Sequence, residues 1–240
     1  MEISLPDLRV SRLKDRQSYD HDVIRDILND AMIAHIGFIR EGWPVVLPFH
    51  FGFGDLGDGR GEQMIIHGST GGRAFLDAAA SEHGVPVSVC VCLNDGLVLG
   101  RSTYEIGARF RSVVGYGYAT EVPADCRQRG FEILIDHVIP GWRDEVREAS
   151  DKEQAATALL RIPMDHASAK VASTNTGDED DGENRHIWAG VVPLNVRAGT
   201  PIPSPETLDP DAIPESVRAF ITRINQADYS VSQDSHSATI

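Results

Sequence analysis

The chain switches between two hydrophobic periods. Val23, Ile24, Ile27, Leu28 and Met32 recur at spacings of three and four, which predicts an amphipathic helix with Asp20 as its N-cap. Beyond it the period shortens. The segments AHIGFI (34–39) and PVVLPFHF (44–51) read as strands joined in a hairpin across Glu41, Gly42 and Trp43. The loop GDLGDGRGEQ (54–63) leads to an apolar run at Met64, Ile65 and Ile66, and the Ala-rich AFLDAAAS (74–81) suits a helix. PVSVCVCLNDGLVLGRS (86–102) reads as two strands turned at Asp95-Gly96, and ARFRSVVGYGYATEV (108–122) as another long strand. Helices are expected over Asp125–His137 and from about Asp151 to Arg161, strands at HASAKVAS (166–173) and HIWAGVVPLNV (186–196), then a Pro-rich arm and a short helix from Pro214.

Strands predominate over alternating βαβ units, so the expected fold is mainly β, a closed antiparallel barrel with peripheral helices. Cys90 and Cys92 alternate along their strand as inward, core positions would. Gly52, Gly54 and Gly57 satisfy GxGxxG, but no helix follows, so they read as part of a hairpin loop rather than a dinucleotide fingerprint. Asp178 to Glu183 holds five carboxylates in six residues and is expected to be a mobile loop.

Bulk properties set limits on function. With 240 residues, 41% hydrophobic and 24% charged, the chain has the composition of a soluble globular protein able to bury a sizeable core. It lacks an apolar run of roughly 18 residues and a signal-peptide layout, so a cytoplasmic protein without a membrane partner is expected. A formal charge of -14 argues against nucleic acid as a partner. Three cysteines make no disulfide framework, and the histidines lack metal-ligand spacing, so no metal site is expected.

The chemistry is concentrated in MIIHGSTGGR (64–73). An apolar strand breaks into a turn where Gly68, Gly71 and Gly72 allow close approach, Ser69 and Thr70 offer hydroxyls, and Arg73 can make a two-pronged phosphate contact. This pattern reads as a phosphate cradle or as an ordinary strand-to-helix turn with a surface arginine.

The order of helix, AHIGFI, PVVLP, IIHGSTGGR, DGLVLGRS, FRSVVGYG and HIWAGVVPL resembles the pyridoxamine 5'-phosphate oxidase-like split-barrel superfamily. More closely it is similar to the flavin-nucleotide-binding branch that includes nitroimidazole-resistance proteins. The resemblance spans roughly Arg16 to Pro203. It implies a split barrel that binds FMN at the interface of a homodimer. Val45, Val46, Leu47 and Pro48 would lie along the isoalloxazine, and Gly68, Ser69, Thr70 and Arg73 would hold the ribityl phosphate. Arg111, Ser112 and Trp188 match supporting positions. His67 matches a histidine that would orient or protonate an acceptor at neutral to mildly acidic pH.

Departures narrow this reading. Trp43 and Pro48 stand where pyridoxamine phosphate oxidases carry an arginine and a lysine, which disfavours pyridoxamine phosphate as substrate. Tyr104, Glu105 and Ile106 replace a histidine pair found in close relatives. The expected activity is that of a flavin-dependent oxidoreductase reducing a small organic acceptor, for example a nitroaromatic. The alternatives are a haem-binding or haem-degrading split barrel using His50 and His67, a non-catalytic flavin carrier or sensor, and deazaflavin in place of FMN. An N-terminal arm (1–19), a barrel domain (20–203) and a C-terminal extension (204–240) are the expected divisions.

Overall fold

The structure is a computed structural model that describes residues 4–9, 13–173 and 184–226. The expected acidic loop and the polar C-terminal tail therefore lie largely or wholly outside the described residues. After a two-residue strand β1 (Gln17–Ser18), helix α1 (His21–Asp30) begins at Asp20, whose carboxylate accepts the Asp22 amide at 2.9 Å. Its apolar stripe buries Ile24, Ile27 and Leu28.

Strands β2 (Ile33–Arg40) and β3 (Trp43–Asp55) form the first hairpin. Its turn has two residues, Glu41 and Gly42, both with positive φ (52° and 81°), and Trp43 already pairs with Arg40. β3 pairs with β2 up to His50, then with β4 (Glu62–Ser69) from Phe51 to Asp55. Helix α2 (Arg73–Ala79) leads to β5 (Val85–Leu99), which pairs with β6 (Ile106–Glu121) along its whole length. Helices α3 (Arg127–Val138) and α4 (Asp151–Ala156) precede β7 (Thr157–Pro163), β8 (Ala167–Ala172), β9 (Gly190–Pro193) and helix α5 (Glu215–Gln226).

The ladder order β6-β7-β4-β3-β2-β5 returns to β6 through the β5–β6 pairing, so six antiparallel strands close on themselves. β8 and β1 extend the sheet from β6, and β9 from β5. The interior is filled by Ile36, Phe51, Met64, Ile66, Val89, Val113, Leu160 and Ile162, all at most 1% exposed. A second cluster lies between α3 and the barrel wall, where Ile133 and Leu134 meet Ile65 and Leu159. Gly52 lets α3 approach: a Cβ there would sit 2.7 Å from the Ile133 carbonyl oxygen. The glycines of the false dinucleotide motif thus serve helix packing and the β3–β4 hairpin. Among the described residues no helix is long and apolar enough to cross a membrane.

Three expectations are corrected. Cys90 and Cys92 are exposed, because Val87, Val89 and Val91 take the inward phase of β5. Asp95-Gly96 is a bulge inside one continuous 15-residue strand rather than a hairpin turn; β5 turns into β6 only beyond Leu99. The helix predicted to reach Arg161 stops at Ala156, and Thr157 to Pro163 enters the barrel wall as β7.

Candidate functional site

The β2–β3 hairpin projects beside α2, and between them lies a cleft of ≈ 180 Å³. Val45 and Leu47 of β3, Phe38 and Ile39 of β2, and Val85 and Pro86 of β5 give it apolar walls. Arg73, Ala74 and Asp77 of α2 close one side, and Arg40 adds a second cation. Arg40 escaped the sequence reading, since only the two-residue turn, which places it opposite Trp43, sets its position. An apolar groove of ≈ 320 Å³ adjoins the cleft, sharing Phe38, Ile39, Val45 and Pro86, and takes in Val46 and Tyr116. The segment Ser4–Pro6 walls this groove, and the Pro6 carbonyl lies 2.8 Å from His166 Nε2. Pro48 is exposed on β3, in register with His35.

The Gly-rich turn is more self-contained than its sequence suggests. The Thr70 amide donates to the Ala156 carbonyl (3.1 Å), the Gly71 amide to Ser69 Oγ (3.2 Å) and the Gly72 amide to the Ser69 carbonyl (2.8 Å). Gly68 has a packing reason, because a Cβ would lie 2.3 Å from the Phe75 ring. Within this turn, anion-binding capacity therefore rests on the Arg73 side chain and on the Ser69 hydroxyl four residues before it. Arg73 is 66% exposed, and its Nε contacts Asp77 at 2.9 Å one helical turn on.

His50 and His67 flank the point where the barrel wall splits. The β3–β4 ladder ends at Phe51–Ile66, and the next residue on each strand is a histidine; beyond them β3 follows β2 and β4 follows β7. Both side chains belong to exposed residues. His50 Nδ1 lies 3.1 Å from the Met32 carbonyl. A carbonyl only accepts, so Nδ1 carries a proton, and it is Nε2 that holds the lone pair whenever the ring is neutral. Partial burial, with the positive potential of His50 added, pulls the His67 imidazole below its ordinary value of 6.5. Burial thus works against the imidazolium expected at neutral to mildly acidic pH.

The other expected contacts stand apart from the cleft. Arg111 is engaged by two carboxylates: Asp95, at 3.0 and 3.1 Å, and Asp30 at the end of α1. Burial works against its charge, but these two partners outweigh it and raise its pKa. Ser112 lies half-buried opposite Cys92, in mid-strand. Trp188 is 63% exposed and sits two residues before Gly190, which pairs with Leu99 at the far end of β5. Pro86, in the cleft, lies at the near end; roughly 40 Å of strand separates it from Leu99 at the usual rise.

The family model for pyridoxamine 5'-phosphate oxidase matches residues 20–171. The chain belongs to this family. Two solved structures share about a third of the sequence. The FAD and heme binding protein of Mycobacterium smegmatis is 33% identical, with 86% of this chain and 97% of that one covered at a TM-score of 0.76. The flavocytochrome Anf3 of Azotobacter vinelandii is 30% identical, covering 89% and 95% at a TM-score of 0.77. A Bacteroides thetaiotaomicron protein assigned to 5-nitroimidazole antibiotic resistance, 18% identical over 65% of this chain and 86% of that one (TM-score 0.50), shares the fold. No curated protein matches.

As a pyridoxamine 5'-phosphate oxidase family member, the chain has the split barrel that its motif order suggests. The family model ends at Val171, whereas both flavin- and haem-related structures cover more of the chain than that match. The likeness therefore reaches beyond the residues that define the family.

Proposed function

We propose that this chain is a flavin-binding redox protein that also carries haem and works as a homodimer. The observation that carries the reading is the pairing of a half-enclosed apolar cleft, bearing Arg73 at its edge, with two histidines at the lips of the barrel split. The donor set fits a flavin: Val45 and Leu47 offer a flat apolar wall, and Arg73 offers charge for a phosphate. It also fits haem, since the neutral His50 ring would present its Nε2 lone pair and burial favours the neutral form of His67, the form in which imidazole binds a metal. The Met32 carbonyl would orient His50 as an outer partner of a ligating imidazole.

Two relatives at or above 30% identity are named for such cofactors, one for FAD and haem and one as a flavocytochrome. On that ground FAD takes precedence over FMN; the two share the ribityl phosphate that Arg73 would hold. The flavin would supply hydride and single-electron chemistry, and haem a one-electron couple. The chain's part is to exclude water from the ring and fix its phosphate, and the reaction class is oxidoreduction of a small organic acceptor.

The absorption spectrum of the purified, haem-supplemented protein tests this. Flavin bands together with a Soret band are expected, and chromatography of the released cofactor identifies FAD or FMN. The Soret band should decline on acidification below the ordinary imidazole range, because a protonated ring has no lone pair for iron. His67→Gln should weaken haem retention and spare flavin. A protein with flavin bands alone, unaffected by added haem, would leave the flavin reading and remove haem.

A further inference from the structure

A third depression, of ≈ 540 Å³ and mostly polar lining, opens between the end of α2, the end of β6 and β7. It is separate from the hairpin cleft: Arg73, Ala74 and Asp77 line the cleft, whereas Ala78 and Ala79 line this groove. Arg161 lines it too, although that residue is only 9% exposed. A buried guanidinium is costly unless it is paired. Here Nε donates to Thr120 Oγ1 at 3.1 Å and Nη1 pairs with Asp58. Nη2 makes no hydrogen bond to a described residue and is not sealed from solvent, so it opens towards the groove.

Arg60 stands at the lip with a side chain 63% exposed, its Nε 3.8 Å from the same Asp58. Two guanidinium groups thus share one carboxylate. Arg60, Arg161 and Asp58 together carry one positive charge, in a chain whose formal charge is -14. Asp58 is itself fixed, accepting from Gln63 Nε2 and from the Arg60 amide, each at 3.2 Å. Arg161 is therefore oriented before any ligand arrives, which lowers the ordering cost of binding. Glu82 and Glu121 also line the groove, so repulsion limits how much negative charge a ligand can carry beyond its head group.

We propose that this groove is a second ligand site, for a small molecule with one oxyanion head, phosphate or carboxylate, on a neutral or cationic body. The head would bridge Arg161 Nη2 and the Arg60 guanidinium. This site is independent of the flavin and haem reading.

Isothermal titration with O-phosphoethanolamine, β-alanine and citrate tests it on the parent, Arg60→Ala and Arg73→Ala proteins. Arg60 is exposed, so its removal should leave the thermal midpoint unchanged. One of the first two compounds should bind the parent and Arg73→Ala alike, and bind Arg60→Ala about tenfold more weakly or worse, as loss of a charged hydrogen bond implies. Which of the two binds names the head group. The proposal is overturned if neither binds, if Arg73→Ala abolishes binding while Arg60→Ala retains it, or if the polyanion citrate binds more tightly than both.

Discussion

Arg73 sits on an exposed helical turn, and its contact with Asp77 decides how available it is. An exposed i,i+4 pair contributes about 0.3–0.5 kcal/mol, and here the arginine precedes the carboxylate, the weaker order on a helix. A hydrogen bond to a charged phosphate is worth about 1.5–3 kcal/mol, so in the proposed site a flavin phosphate would displace Asp77. Arg73→Ala should therefore weaken flavin binding by about 1.5–3 kcal/mol, and Asp77→Asn should strengthen it slightly. Fluorescence titration of apo-protein with FAD measures both. Equal affinity in the parent and Arg73→Ala would move the phosphate to Arg40, the other cation of the cleft. The turn amides offer little alternative, because those of Thr70, Gly71 and Gly72 are spent within the protein.

Strand β5 organises the molecule at the next scale, and its bulge at Asp95 explains what Arg111 does. The bulge aims the Asp95 carboxylate at Arg111 on the neighbouring strand, and Arg111 also reaches Asp30 at the end of α1. Asp30 alone would suffer at a helix C-terminus, where the dipole favours cations; Arg111 offsets this and ties helix to barrel. Arg111→Met leaves two carboxylates facing each other and should cost about 1–3 kcal/mol in urea unfolding, less than a fully buried pair would because these groups are partly solvated. Adding Asp95→Asn should restore part of that loss. Periodicity and capping made α1, the first hairpin and most strands legible, since a one-sided stripe and a clean alternation each leave a pattern. They failed where a strand is covered on both faces: Leu159 packs under α3 and Leu160 inside the barrel, so β7 has no alternation to read. In β5 the period was plain but its phase was not, because Val and Cys are both apolar and only packing puts the valines inside. The motif made Arg73 legible, whereas the His50–His67 juxtaposition depends on where the hairpin ladder ends, across 16 intervening residues.

At the scale of the whole molecule, a single chain would leave the proposed cofactor site incomplete. The cleft of ≈ 180 Å³ is smaller than the roughly 300–1,000 Å³ that enclose most ligands; Val46, in the adjoining groove, is 61% exposed, and Trp43, paired with Arg40 across the hairpin turn, is 75% exposed. At the other end of β5 a second apolar set is exposed, with Trp188 at 63%, Ile106 at 68% and Tyr104 at 95%. An isologous pairing in which one end of β5 meets the other end of a second copy would cover both sets and complete two equal sites. Light scattering should then give twice the chain mass of 26.2 kDa. A mixing experiment tests the sharing itself. Arg73→Ala and Trp188→Ala proteins should each bind flavin weakly, and subunit exchange between them should create dimers with one intact site, Arg73 from one chain and Trp188 from the other. Recovery of tight flavin binding on mixing supports the shared site. A mixture no better than its parts, with exchange verified by mass spectrometry, would place the whole flavin site within one protomer and leave Trp188 as a contact between subunits alone.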